Sequence, residues 1–192
     1  MAIIDFFDRG WRINPTGIAY IQDERKYSFD EVGDLSCRIA NQLLADGFAK
    51  GTRGAVWAGN DVTAWICTLG LWRANMTWIP INVRNAPEEN VYILENFDCE
   101  VVFFQEAFGA QIAALRERLP KVQRWICLDG CPPGAESLAR WIESAAATRP
   151  DVASDMDDVG ALWPTRSGAF NAASLQAPGP DTEGMPSTAP LM

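Results

Sequence analysis

A chain of 192 residues that is 48% hydrophobic and 21% charged is long and apolar enough for one domain with a real core. Its formal net charge of −9 excludes the basic face that non-specific binding to nucleic acid or anionic membrane requires. Histidine is absent, which removes Ser–His–Asp and Cys–His catalysis and any imidazole metal site.

The five cysteines, Cys37, Cys67, Cys99, Cys127 and Cys131, form no C-x-x-C pair. Four lie in apolar runs, where a buried thiol is the ordinary outcome. Their odd number, and a start (Met1 to Phe7) without a basic n-region, place the chain in the reducing cytoplasm. The most hydrophobic segment, Val62 to Trp72, falls well short of the ~20 residues of a membrane span.

Taken in chain order, Ile3 to Trp11 predicts a short helix that ends before Pro15. Ile18 to Gln22 and Lys26 to Phe29 flank the turn Asp23-Glu24-Arg25 and predict a β-hairpin. Ser28 and Glu31 have capping-box spacing. Val32, Leu35, Ile39 and Leu43 then recur at helical spacing, so Asp30 to Asp46 is an amphipathic helix with Gly47 as its C-terminal cap.

From there short apolar strands alternate with helices. The strands are Ala55 to Ala58, Thr77 to Ile81, Val101 to Gln105 and Arg124 to Leu128. The helices are Val62 to Ala74, Pro87 to Phe97, one marked by Phe108, Ile112, Leu115 and Leu119, and one marked by Leu138, Trp141, Ile142 and Ala145. Strand centres at Val56, Ile79, Phe103 and Ile126 stand about 23 residues apart. This predicts right-handed βαβ units in an α/β, doubly wound, mostly parallel sheet with flanking helices, and continuous apolar strands agree.

The helix Val62 to Ala74 is apolar nearly all round, so its outer face is expected to need a cover beyond the sheet, such as a further domain. Three regions follow: the α/β unit over 1–150, a linker over 151–165 with a strand at Val159 to Trp163, and a tail over 166–192. The tail is rich in Ala, Pro, Gly, Ser and Thr, lacks periodicity, and is expected to be disordered.

Particular strings carry a resemblance. Lys26-Tyr27-Ser28-Phe29-Asp30-Glu31-Val32, Gly47-Phe48-Ala49-Lys50-Gly51-Thr52-Arg53-Gly54-Ala55-Val56, Leu71-Trp72-Arg73-Ala74-Asn75 with Ile79-Pro80-Ile81-Asn82, and Arg84 with Pro87-Glu88-Glu89 and Tyr92-Ile93-Leu94 occur in order. Together they resemble the N-terminal portion of AMP-forming acyl-CoA synthetases, in the adenylate-forming ligase superfamily. Thr52 stands where that family usually has Asp, and Asn75 where it usually has Gly.

The resemblance implies ATP, Mg²⁺ and CoA as cofactors, and a carboxylic acid that is adenylated and then passed to the CoA thiol. It also implies a glycine-rich phosphate loop after Asp157-Asp158-Val159-Gly160-Ala161-Leu162-Trp163-Pro164-Thr165. Arg166-Ser167-Gly168-Ala169-Phe170-Asn171 stands there instead, and no lysine follows. Thr165, Ser167 and Gly168 are a remnant of such a loop, and none of the three cofactors is expected to bind tightly. A frameshifted or truncated reading frame, a chain inactive alone and no catalytic or metal-ligating residue are the expectations. A truncated paralogue that docks on a ligase or on itself is the alternative, motivated by the outer face of Val62 to Ala74. An unrelated dinucleotide-binding protein is a weaker one, since no G-x-G-x-x-G follows a strand.

Other candidates have plain structural explanations. Arg84 follows a strand end, where doubly wound folds place ligands, but a solvated or salt-bridged loop arginine fits equally. Asn60 and Asn82 are expected to cap the helices that follow them. Asp157 and Asp158 resemble a metal pair but read as a solvated turn. The eight tryptophans lie mostly at core positions of helices and strands.

Overall fold

The computed structural model describes residues 2–155, 157–164 and 170–174. Helix α1 (Ile4–Ile13) leads to the antiparallel hairpin β1 (Ile18–Gln22) and β2 (Arg25–Ser28), then to α2 (Phe29–Ala45). There follow β3 (Arg53–Trp57), α3 (Val62–Arg73), β4 (Thr77–Pro80), α4 (Pro87–Asn96), β5 (Val101–Phe104), α5 (Gly109–Leu115), β6 (Arg124–Cys127), β7 (Glu136–Ser137), α6 (Leu138–Trp141), β8 (Val159–Pro164) and β9 (Phe170–Ser174). The expected strands and long helices are present, with ends moved by a residue or two.

The seven-stranded sheet has the order β7-β6-β5-β3-β4-β8-β9, parallel except for the β8–β9 pair. From β3 the chain steps outward to β4, crosses back over β3 to β5, and continues to β6. The winding reverses between β3 and β5, which is the switch point of a doubly wound fold. Each side of the sheet has its own core. Val56, Val101, Phe103 and Ile126 face α1, α2, α3 and α6, while Ala55, Trp57, Ile79, Val102, Phe104, Trp125 and Cys127 face α4 and α5. The strands read as unbroken apolar runs because both faces are covered.

The local signals explain the long helices. Ser28 Oγ accepts from Glu31 N at 3.2 Å, and Glu31 Oε2 accepts from Ser28 N at 2.7 Å, so α2 begins on a capping box. It ends at Gly47, φ +91°, with Gly47 N donating to Leu44 O and Phe48 N to Leu43 O, a Schellman pattern. Helices α3 and α4 end in the same pattern on Asn75 (φ +55°) and Asp98 (φ +49°).

Four expectations are corrected. The outer face of α3 is already covered: α2 packs on it so closely that a Cβ at Gly70 would sit 2.4 Å from Ile39 Cγ2. Nine of its twelve residues are buried because α3 is a middle layer between the sheet and α2. The helix expected to reach Ala145 stops at Trp141, because Arg38 and Asn41 of α2 take the carbonyls of Ala145, Ala146 and Thr148 that a helix would use. Asp61 caps α3 in place of Asn60. Within the tail expected to be disordered, residues 170–174 form β9, which pairs antiparallel with β8; 166–169 and 175–192 lie outside the described residues.

Candidate functional site

In a doubly wound sheet, ligands bind beyond the carboxyl ends of the strands. Here that edge is formed by the chain leaving β3 at 58–61, β4 at 81–86, β5 at 105–106 and β6 at 128–130, with the end of β8 beside β4. A phosphate would be held there by free backbone amides at loops and helix N-termini.

Those amides already have partners. Gly59 N donates to Gln105 Oε1 at 2.8 Å, a bond that spans the switch point between β3 and β5. Val62 N donates to Gln22 Oε1 at 2.7 Å and Ala64 N to Asp61 Oδ1 at 2.9 Å, so the start of α3 is filled. Gln22 Nε2 also donates to Asp61 Oδ2 at 3.0 Å, which ties the hairpin to this cap. Ala86 N donates to Glu89 Oε2 at 3.0 Å before α4, and Glu106 N donates to Asp129 Oδ1 at 2.7 Å. The capping groups include three carboxylates, whose charge opposes a phosphate approaching the same edge.

The β4–α4 loop is held by asparagines. Asn82 Oδ1 accepts from Arg84 N at 3.0 Å, Asn90 Nδ2 donates to Asn82 O at 3.3 Å, and Asn85 Nδ2 donates to Asn90 Oδ1 at 3.1 Å. Asn82 thus makes an Asx turn and does not cap α4. Arg84 is exposed, and its guanidinium has no ion pair among the described residues.

Asp157 and Asp158 do not form a metal pair. Asp158 Oδ2 accepts from Asn75 Nδ2 at 2.9 Å and from Asp155 N at 2.6 Å, and its Oδ1 is 2.6 Å from Lys50 Nζ. The Asp155 amide, then Lys50 and Asn75, hold its carboxyl down at about 2. No group of three or more potential ligands that could hold a metal occurs among the described residues. Thr165, Ser167 and Gly168, the remnant of a phosphate loop, lie outside the described residues.

Cys37, Cys67, Cys99 and Cys127 are buried and Cys131 is exposed. Burial pushes the Cys99 thiol up to about 12, so it is no nucleophile. Trp65, Trp72 and Trp78 form an edge-to-face triangle with centroids 5.5–6.3 Å apart, a packing arrangement between α3 and β4.

Sequence reasoning did not single out one constellation. Arg73 and Asp8 are both buried, with Arg73 Nη2 to Asp8 Oδ1 at 2.7 Å and Arg73 Nε to Ser36 Oγ at 3.0 Å. The guanidinium lies 5.5 Å from the Trp11 ring centroid and 5.9 Å from that of Phe7. This pair clasps α1 to α3. Its only sequence signal was an arginine inside an otherwise apolar helix.

A two-sided α/β sheet with an intricately capped but ligand-free carboxyl edge, leading through β8 toward the place of a phosphate loop, defines a nucleotide-ligase type of scaffold. The chain belongs to the AMP-binding enzyme family, whose model matches residues 7–166. It is 30% identical over 151 residues to the long-chain-fatty-acid–CoA ligase FadD13 of Mycobacterium tuberculosis, covering 76% of this chain and 29% of that protein. It is 27% identical over 168 residues to a 4-hydroxybenzoate–CoA/benzoate–CoA ligase of Rhodopseudomonas palustris, covering 87% of this chain and 31% of the relative. Among solved structures, the N-terminal domain of FACL13 from M. tuberculosis aligns with a TM-score of 0.78 at 27% identity, over 90% of this chain and 44% of that one. The anthranilate CoA ligase AuaEII aligns at 0.80 with 20% identity, a likeness of fold. The chain therefore spans about three-tenths of the length of these curated relatives.

Proposed function

We propose that this chain is the N-terminal scaffold of an AMP-dependent carboxylate–CoA ligase and that, by itself, it does not catalyse the reaction. In such a ligase a carboxylate oxygen attacks the α-phosphorus of ATP and pyrophosphate leaves; the CoA sulfur then attacks the acyl carbon and AMP leaves. Both steps need donors that meet negative charge as it develops.

The observation that carries the proposal is the state of the carboxyl edge. Its amides at Gly59, Val62, Ala64, Ala86 and Glu106 are bound to the chain's own side chains. The phosphate-holding work therefore falls to whatever follows β8. The family match ends at residue 166, at the point where the family-like sequence gives way to the Ala- and Pro-rich tail. A frameshift or truncation at that point is our explanation. Sequencing the locus tests it, because a phosphate-loop sequence in another frame beyond the Thr165 codon must then be found.

Carboxylate-dependent pyrophosphate release from ATP, with and without CoA, tests inactivity. We expect release at background level, and turnover by the purified chain would falsify the proposal. A docking module is the second reading, but its motive was the outer face of α3, and α2 covers that face. We place the protein in the cytoplasm; no helix among the described residues is long and apolar enough to cross a membrane.

A further inference from the structure

The connection from α6 to β8 is attached differently from the rest of the fold. Trp141 and Ile142 are buried in the core beneath α2, and Ala145 packs against it. From 146 to 160 no described side chain is buried, and none joins either core. What holds this stretch is a series of side chains reaching out from the elements beneath it. Arg38 Nη1 donates to Ala145 O at 2.7 Å, and Asn41 Nδ2 donates to Ala146 O and Thr148 O, each at 2.8 Å. Arg149 pairs with Asp8. Asn75 Nδ2 donates to Ala153 O at 2.8 Å as well as to Asp158 Oδ2.

Strand β8 is then seated by more of the same. Trp72 Nε1 donates to Gly160 O at 2.8 Å, and Thr77 Oγ1 donates to Val159 O at 2.8 Å. Lys50 meets Asp158 from the loop before β3. Two surface clefts border this point, both lined by Asn75, Asp158 and Val159. Asn75 is at the centre: its left-handed backbone ends α3, and its amide grips both 153 and 158.

A segment with little buried apolar surface, fixed mainly by side chain to backbone hydrogen bonds, opens at lower free energy than the core to which it is tied. We propose that residues 145–155 and β8 form a strap that opens as one unit from an intact sheet of β3, β4, β5 and β6, and that the Asn75–Asp158–Lys50 contact is its latch. Asp158 and Asn75 are positioning residues: they set where β8 lies beside β4. The functional sense of the strap rests on our reading of β8 as the lead-in to a phosphate loop, whereas the opening itself is measured independently of any activity.

Hydrogen–deuterium exchange with peptide resolution on the full chain is the test. Amides of 157–164 should exchange at least tenfold faster than those of β3 and β5 in the unaltered protein. Asp158→Ala should accelerate 157–164 by about another tenfold while leaving β3, β5 and β6 unchanged. Asn75→Gly is the second variant, because glycine accepts φ +55° without strain and only the amide grip is lost. It should reproduce the Asp158→Ala pattern with an unchanged melting temperature. Equal exchange in β8 and β3, no response to either variant, or acceleration spread evenly over the whole sheet would each overturn the proposal.

Discussion

At the scale of single residues, two departures from the family pattern have physical substitutes. Asn75 stands where glycine is usual and adopts the left-handed backbone that glycine normally provides, which Asn tolerates better than most residues. Thr52 stands where aspartate is usual, and its Oγ1 accepts from Ala49 N at 3.2 Å, the bond an aspartate would accept. The buried Asp8–Arg73 pair makes a stronger demand. Asp8→Ala removes the carboxylate and leaves a guanidinium buried among Phe7, Trp11 and Ser36. We expect a loss of about 3–5 kcal/mol, measured by urea unfolding, because the charge left behind is uncompensated. None of this pairing was legible in the sequence, since the partners are far apart along the chain.

At the scale of elements, the sequence was most informative where a cap and a period coincide. Ser28, Glu31 and Gly47 bracket α2 as expected, because capping depends on residues three or four apart. Ser28→Ala should cost about 1 kcal/mol, read as a lower urea midpoint with an unchanged slope. The α2–α3 contact is less forgiving. Gly70→Val places its branches where Ile39 already sits, and should cost about 1–3 kcal/mol by the same measurement. Element ends that depend on distant partners were not legible. Trp141 ends α6 because α2 captures the carbonyls beyond it, and β7 is two residues paired with β6. Neither leaves a local pattern.

At the scale of the whole molecule, carboxylates held by partners tie stability to acid. Asp158 is lowered from the ordinary 3.8 to about 2. Burial raises Asp46, but hydrogen bonds from Arg124, Trp141 and Gln42 outweigh it and lower it overall. A group lowered on folding contributes stability above its unfolded value and loses it as pH falls toward its folded value. The melting temperature should thus hold from pH 7 to about 4 and fall between about 4 and 2, as circular dichroism across that range would record. In Asp158→Asn the part of the fall due to this group should vanish.

The sequence by itself determined the strand–helix alternation, the two-sided sheet, the family and the point where family likeness ends. It could do so because hydrophobic period, caps and short motifs act over a few neighbouring residues. Only the tertiary structure decided that α3 is a middle layer and not an open face. The same holds for the arginine in the family-like Leu71–Asn75 string, which clasps α1, and for the amides at the carboxyl edge, which are spent on the chain's own side chains. Those outcomes depend on residues brought together from distant parts of the chain, and packing and hydrogen-bond satisfaction at such distances leave no local periodic mark.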